Sequence, residues 1–172
     1  MITIKIQFPD GHVNKYDTVP ESWRDITFNR MADVLDLLTG EKQIEPIQLL
    51  STITGIPVDD LNQVDAMQVQ QLSNMCSFVT DIEDLQQFAT VHKSFEKYLD
   101  IKVQFQTFEK IEQAKTAYQK TIESGRHPFS CCRDLVEIYT GEDIGERPVP
   151  EVWGLCSFFL TNWVRSSKGS NA

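Results

Sequence analysis

His127, Cys131 and Cys132 are the residues whose types and spacing come nearest to chemistry in this chain. Separations of four and five residues set an imidazole nitrogen and a thiolate on one helical face, the kind of pair that holds Zn²⁺. A convincing fourth ligand is missing. Cys156 joins the set only if the fold brings it near, and its counterpart Cys76 stands in a stretch with no matching His or Cys pair. Adjacent helical residues point in different directions, so vicinal Cys131-Cys132 reads as two small apolar side chains rather than a redox switch. The expectation is core thiols, reduced and metal-free, in a chain that lacks the cysteine density of a disulfide scaffold.

Other groups that suggest a reaction fare no better. Asp59-Asp60 are adjacent rather than placed across a cleft, which does not suit a carboxylate pair that shares acid and base work. His12 falls in a turn and His92 between two halves of the chain, each without an identifiable nucleophile or orienting carboxylate. TGEK (39–42) is the string that links zinc fingers, yet no Cys₂His₂ set flanks it, and both it and TGED (140–143) fit helix stops. There is no P-loop, GxGxxG, GxSxG or HExxH. The reading is a non-enzymatic protein with no cofactor and no metal.

The elements that would position such residues occur twice. Thr27-Phe28 opens one amphipathic stretch and Thr107-Phe108 another, 80 residues on. LLSTITG ending at Gly55 is answered by LVEIYTG ending at Gly141, and Cys76 in MCSFVTD by Cys156 in LCSFFLTN. A period near 80 is too long for a solenoid repeat of about 20–50 residues. It predicts a mainly helical α+β fold made by tandem duplication of a small unit, a short strand or hairpin followed by three helices. Residues 1–90 form the first unit, 91–164 the second and 165–172 a polar tail.

Alternation of Ile2, Ile4, Ile6 and Phe8 with polar residues predicts a strand, and Pro9-Asp10-Gly11 a turn into a second strand around Val13–Tyr16. Ile101, Val103 and Phe105 alternate in the same way, which predicts a strand that pairs with the hairpin and welds the copies together. Thr27 is the expected N-cap of a helix with Met31, Val34, Leu35 and Leu38 inward, stopped at Gly40. Pro46 starts a second helix that Gly55 and Pro57 end; Asp65, with Gln68 three residues later, starts a third. In the second unit Thr107 caps, Gly141 stops and Pro150 opens the last helix.

At 172 residues and 41% hydrophobic, the chain has enough apolar material for a substantial core. No run approaches the about 18–20 apolar residues that span a bilayer, and MITIKIQFP reads as a strand rather than a signal, so the protein is expected to stay where it is made. The net charge of −9 is uneven: residues 1–90 hold 5 Lys/Arg against 14 Asp/Glu, and residues 91–172 hold 11 of each. An acidic surface repels phosphate backbones, which argues against nucleic acid and for a basic protein partner.

The last helix is where function is expected. EVWGLCSFFLTNWV is apolar almost all round, whereas its counterpart DAMQVQQLSNMCSFV keeps a polar face of Gln68, Gln70, Gln71 and Asn74. A helix apolar on every side is either central to the core or covered by a partner. Trp163, whose counterpart is Glu83, is the expected anchor of a partner contact formed with Trp153, Phe159, Arg165 and Lys168.

Val19-Pro20, Trp23, Ile26-Thr27-Phe28, Leu49-Leu50, Thr54-Gly55-Ile56-Pro57 and Asp59-Asp60-Leu61 carry a resemblance. Over residues 19–79, and more loosely 101–164, the chain resembles small proteins encoded among the head and tail morphogenesis genes of bacteriophages, particularly crAss-like and other phages of Bacteroidetes. The second unit departs from the pattern in lacking V-P-x-x-W before Thr107. The resemblance implies a structural or assembly protein that binds portal, capsid or tail components at the portal or head–tail vertex, in several copies of a symmetric assembly. A transient tail assembly chaperone, absent from the mature virion, is the alternative. It implies residence in the host cytoplasm during assembly, and in the virion if the protein is structural.

Overall fold

The computed structural model describes residues 2–8, 10–39 and 44–169. β1 (Ile2–Gln7) and β2 (Val13–Val19) form an antiparallel hairpin in which Lys5 faces Lys15 and Ile6 faces Asn14, with an irregularity between Ile2 and Ile4. A 3-10 turn at Trp23–Asp25 leads to α1 (Phe28–Thr39), α2 (Pro46–Thr54), the single turn α3 (Val58–Leu61) and α4 (Ala66–Met75). Four 3-10 segments span Cys76 to Phe105. α5 (Phe108–Glu123), another 3-10 turn at Pro128–Cys131, α6 (Cys132–Thr140) and α7 (Val149–Gly169) complete the chain. The fold is mainly helical, with one small sheet of two strands among the described residues.

Local chemistry sets most of the helix ends. Pro46 occupies the start of α2, where its missing N–H costs nothing. Asp65 accepts the Gln68 N–H at 2.8 Å, and Thr107 accepts that of Lys110 at 3.4 Å. α2 and α6 stop in the same way. Each ends in a Thr-Gly pair whose glycine is left-handed, φ 74° at Gly55 and 77° at Gly141. In each, the threonine hydroxyl donates to the carbonyl four residues back and accepts the N–H two residues on.

Two expectations are overturned. The segment 101–105 is no strand: Val103–Phe105 is a 3-10 turn, closed by the Phe105 N–H on the Lys102 carbonyl, and it has no pairing with the hairpin. Alternation placed Val103 and Phe105 on one inward face, but the turn buries Val103 and leaves Phe105 out. At α1, the N–H groups of Phe28 and Asn29 bond the carbonyls of Arg147 and Gly145, both at 2.9 Å, and Val149 N–H returns a bond to Ile26. A distant piece of backbone thus satisfies donors that the Thr27 side chain was expected to serve, and Thr27 itself bridges Pro148. The predicted stop at Gly40 lies outside the described residues.

One core runs through both halves, from Ile6, Trp23 and Met31 to Leu135, Leu155 and Phe159. α7 lies at its centre, packed against α1, α6 and the 3-10 segments at 23–25, 82–88 and 103–105. Its closest approach is at Gly154, where a Cβ would stand 2.5 Å from the Thr90 carbonyl oxygen. Backbone there cannot yield cheaply, so Gly154→Ala is expected to destabilise the fold by at least about 1–3 kcal/mol, an overpacking cost measurable by urea unfolding.

Candidate functional site

The three aromatic anchors expected on the last helix lie in the core. Trp153 stacks on Phe129 with ring centroids 4.1 Å apart, Phe159 lies parallel to Tyr139 at 5.6 Å, and Trp163 is 6% exposed. A helix apolar all round had two readings, and the packing of α7 selects the central one; these indoles are not exposed anchors. Arg165 is exposed at the end of α7, while the Lys168 side chain lies outside the described residues.

The residues considered for zinc are individually engaged. His127 accepts the Phe129 N–H through Nδ1 and thereby caps the turn at 128–131. The Cys131 thiol donates to the Pro128 carbonyl at 3.0 Å, and that of Cys132 points to the Cys156 carbonyl at 3.8 Å. All four cysteines are free and buried. Burial pushes Cys76 up to about 11 and raises Cys132 well above an ordinary thiol; Cys131 is raised by its contact with Cys132 and by burial. A thiol held protonated is a poor nucleophile. Among the described residues no three His, Cys, Asp or Glu side chains group as metal ligands.

Asp36, on α1, organises this corner. Its carboxylate accepts from the His127 N–H at 2.7 Å, the Ser130 hydroxyl at 2.5 Å and Arg126 Nε at 2.6 Å. Desolvation lowers the pKa of His127 against the opposing pull of Asp36. The unfolded chain therefore takes up the proton first, and the stability contributed by the neutral ring, present above about pH 6.5, is lost as pH falls toward the lowered value. His127→Asn keeps an oxygen for the cap and should flatten that part of the pH–stability profile, as read by urea unfolding between about pH 7.5 and 5.

His12, expected to lack a nucleophile and an orienting carboxylate, is held by an amide instead: its Nε2 lies 2.7 Å from Asn14 Oδ1. Asn14 and Tyr16 both donate to Asp60, and the hydrogen bond raises the Tyr16 pKa along with desolvation, its larger cause. This network ties β2 to α3.

The surface that could receive a partner was not legible as such. Phe105 and Phe108 are 75% and 78% exposed and flank the cap residue Thr107. From this end of α5 a shallow groove of about 840 Å³ runs between α5 and α6. Ala117 and Ile138 give it an apolar floor, and on its rim Glu109, Glu112, Asp134 and Glu137 outnumber the one cation of its lining, Lys120, while Lys115 lies 3.9 Å from Glu112. The second half is neutral in total, which hid this rim. Arg126, Arg133 and Arg147 are engaged with Asp36, Asp143 and Glu151, none of which lines the groove. An apolar floor with an acidic rim suits a basic amphipathic segment. Among the described residues no helix is long and apolar enough to cross a membrane. Compared with protein-family models, curated proteins and solved structures, the chain matches none.

Proposed function

We propose that the protein is a non-enzymatic bacteriophage structural or assembly protein that binds other virion proteins at the portal or head–tail vertex. The phage context rests on the resemblance of residues 19–79. The binding role is supported by one observation above others: two phenylalanines stand about three-quarters exposed at the end of α5 from which an acid-rimmed groove runs. Exposed apolar clusters of this kind mark interaction sites, and aromatic residues dominate interface energetics. The partner is a basic segment of a portal, capsid or tail component, engaged by several copies of this chain in the host cytoplasm during assembly. Arg165 and Lys168, expected on a polar tail that shares the contact, stand in the last turns of α7.

The architecture we infer for this role is a tandem duplication, with α5 answering α1, α6 answering α2 and α7 answering α4. The matched Thr-Gly stops of α2 and α6 support it. Superposing residues 26–79 on 106–159, with one six-residue slip, should align these helices and bring Cys76 near Cys156. Divergent paths would end the duplication reading.

The function is tested in particles. Mass spectrometry of purified virions should detect the wild-type chain, and Phe105→Ala with Phe108→Ala should remove it while the isolated variant keeps its thermal midpoint. Loss of two aromatic anchors is expected to cost about 2 kcal/mol or more of binding. Absence of the wild-type chain from virions, together with its capture on an isolated tail protein, would replace the structural role with that of a transient assembly chaperone. Normal incorporation of the double variant would move the contact elsewhere.

A further inference from the structure

We propose that the open edge of β1 is a second binding site, built to accept an extended acidic-apolar segment of a partner protein as a third strand. Among the described residues β1 pairs with β2 alone. The Phe8 N–H donates to the His12 carbonyl at 2.8 Å, and the register continues through Ile6↔Asn14 and Ile4↔Tyr16. In an antiparallel ladder the backbone groups alternate between the two edges, so those of Lys5 and Gln7 point away from β2. Among the described residues neither finds a backbone partner outside the hairpin. An unpaired strand edge is a template for another strand.

A slot is already shaped beside this edge. It encloses about 240 Å³ between four consecutive residues of β1, Thr3 to Ile6, and one face of α4 that presents Gln68, Gln71, Leu72 and Met75. Gln68 Oε1 is buried there without a hydrogen-bond partner. The sequence suggested a capping box, in which the Gln68 side chain would reach back to Asp65; Asp65 does accept the Gln68 N–H, but the reciprocal bond is not made. A buried acceptor left unpaired is costly, and a donor carried by an incoming strand would relieve it.

The lining also selects the occupant. Lys5 stands directly across from Lys15, a like-charge pair that destabilises a ladder. Lys15 is compensated by Asp17 at 2.6 Å, whereas Lys5 has no ion-pair partner among the described residues. A carboxylate on the opposite flank of Lys5 would complete the pair, while alternate apolar side chains of the same strand meet Leu72 and Met75. A second copy is a poor occupant. Its β1 carries Lys5 and no acid, and it would bring its own α4 into the space beside the edge.

The probes are the peptides acetyl-TVEVTV-amide and acetyl-TVKVTV-amide, added to the ¹⁵N-labelled full chain. The glutamate peptide should bind, shift the resonances of residues 3–6 and 68–75, and slow hydrogen exchange at the Lys5 amide. Lys5→Glu should weaken the glutamate peptide by about threefold to tenfold and favour the lysine peptide, because the cross-strand pair is reversed. Lys5→Pro should abolish binding of both, since the lost N–H faces the slot and not β2; its melting profile checks that the hairpin persists. Binding that ignores the Lys5→Glu change, shifts confined to the groove between α5 and α6, or no binding of either peptide would overturn the proposal. So would self-association of the free chain with the Lys5 amide protected, which would make a second copy the occupant.

Discussion

Phe159→Ala should destabilise the protein by about 3–5 kcal/mol, the usual cost of removing a buried phenylalanine whose surroundings relax only in part. Its ring is fully buried, lies parallel to that of Tyr139 at an interplanar angle of 2°, and meets Phe158 edge-on at 5.3 Å. Because α7 touches elements of both halves, the cavity would open where neither half can close it alone. For a chain of this size the loss corresponds to a fall of about 6–20 °C in the thermal midpoint. Phe105→Ala, on an exposed ring, should stay within about 0.5 kcal/mol of wild type. Urea unfolding of the two variants side by side separates core from surface. A cost below 1 kcal/mol at Phe159, or a large one at Phe105, would show that the division between the core helix and the binding edge is drawn wrongly.

That contrast marks where residue patterns stop being informative. Caps at Asp65 and Thr107, the proline start of α2 and the glycine stops at Gly55 and Gly141 were legible because each is decided within a few residues by hydrogen-bonding chemistry and backbone sterics. The start of α1 was not, since its donors are satisfied by carbonyls more than a hundred residues away. Alternation at 101–105 carried a strand signal, yet a turn served better, because Val103 alone of the two inward candidates found a place against α7. Phe105 was set inward by that alternation, and its exposure shows the limit of the signal: periodicity states which residues share a face and leaves open whether anything covers it. The aromatic residues of α7 failed in the opposite direction. Their abundance was correctly read as unusual, but the choice between a partner and the protein's own core depends on how many elements surround the helix. The acidic rim between α5 and α6 was invisible in the charge count, for Arg126, Arg133 and Arg147 pair with acids outside the groove and Lys120 is the one cation of its lining.

Asp36→Ala should cost about 2–4 kcal/mol, since hydrogen bonds to a charged group are worth about 1.5–3 kcal/mol each and do not add fully. The carboxylate is 18% exposed and serves three donors from the 126–130 segment. Removing it leaves the His127 N–H and the Ser130 hydroxyl without that acceptor at a part-buried junction of α1 with the turn before α6. Asp36→Asn keeps one oxygen acceptor but replaces the other by an amide NH₂, itself a donor, that meets donors, so an intermediate loss is expected. The ion pair contributes least. Arg126 is nearly half exposed, and Arg126→Ala should cost no more than about 1 kcal/mol. The order Asp36→Ala, Asp36→Asn, Arg126→Ala, measured by urea unfolding at neutral pH, distinguishes a hydrogen-bonding hub from a simple salt bridge. If Arg126→Ala proved as damaging as Asp36→Ala, charge pairing would be what fastens α1 to the second half. If all three were silent, the junction would be held by the apolar packing of α1 against the turn at 128–131, within the core that both share.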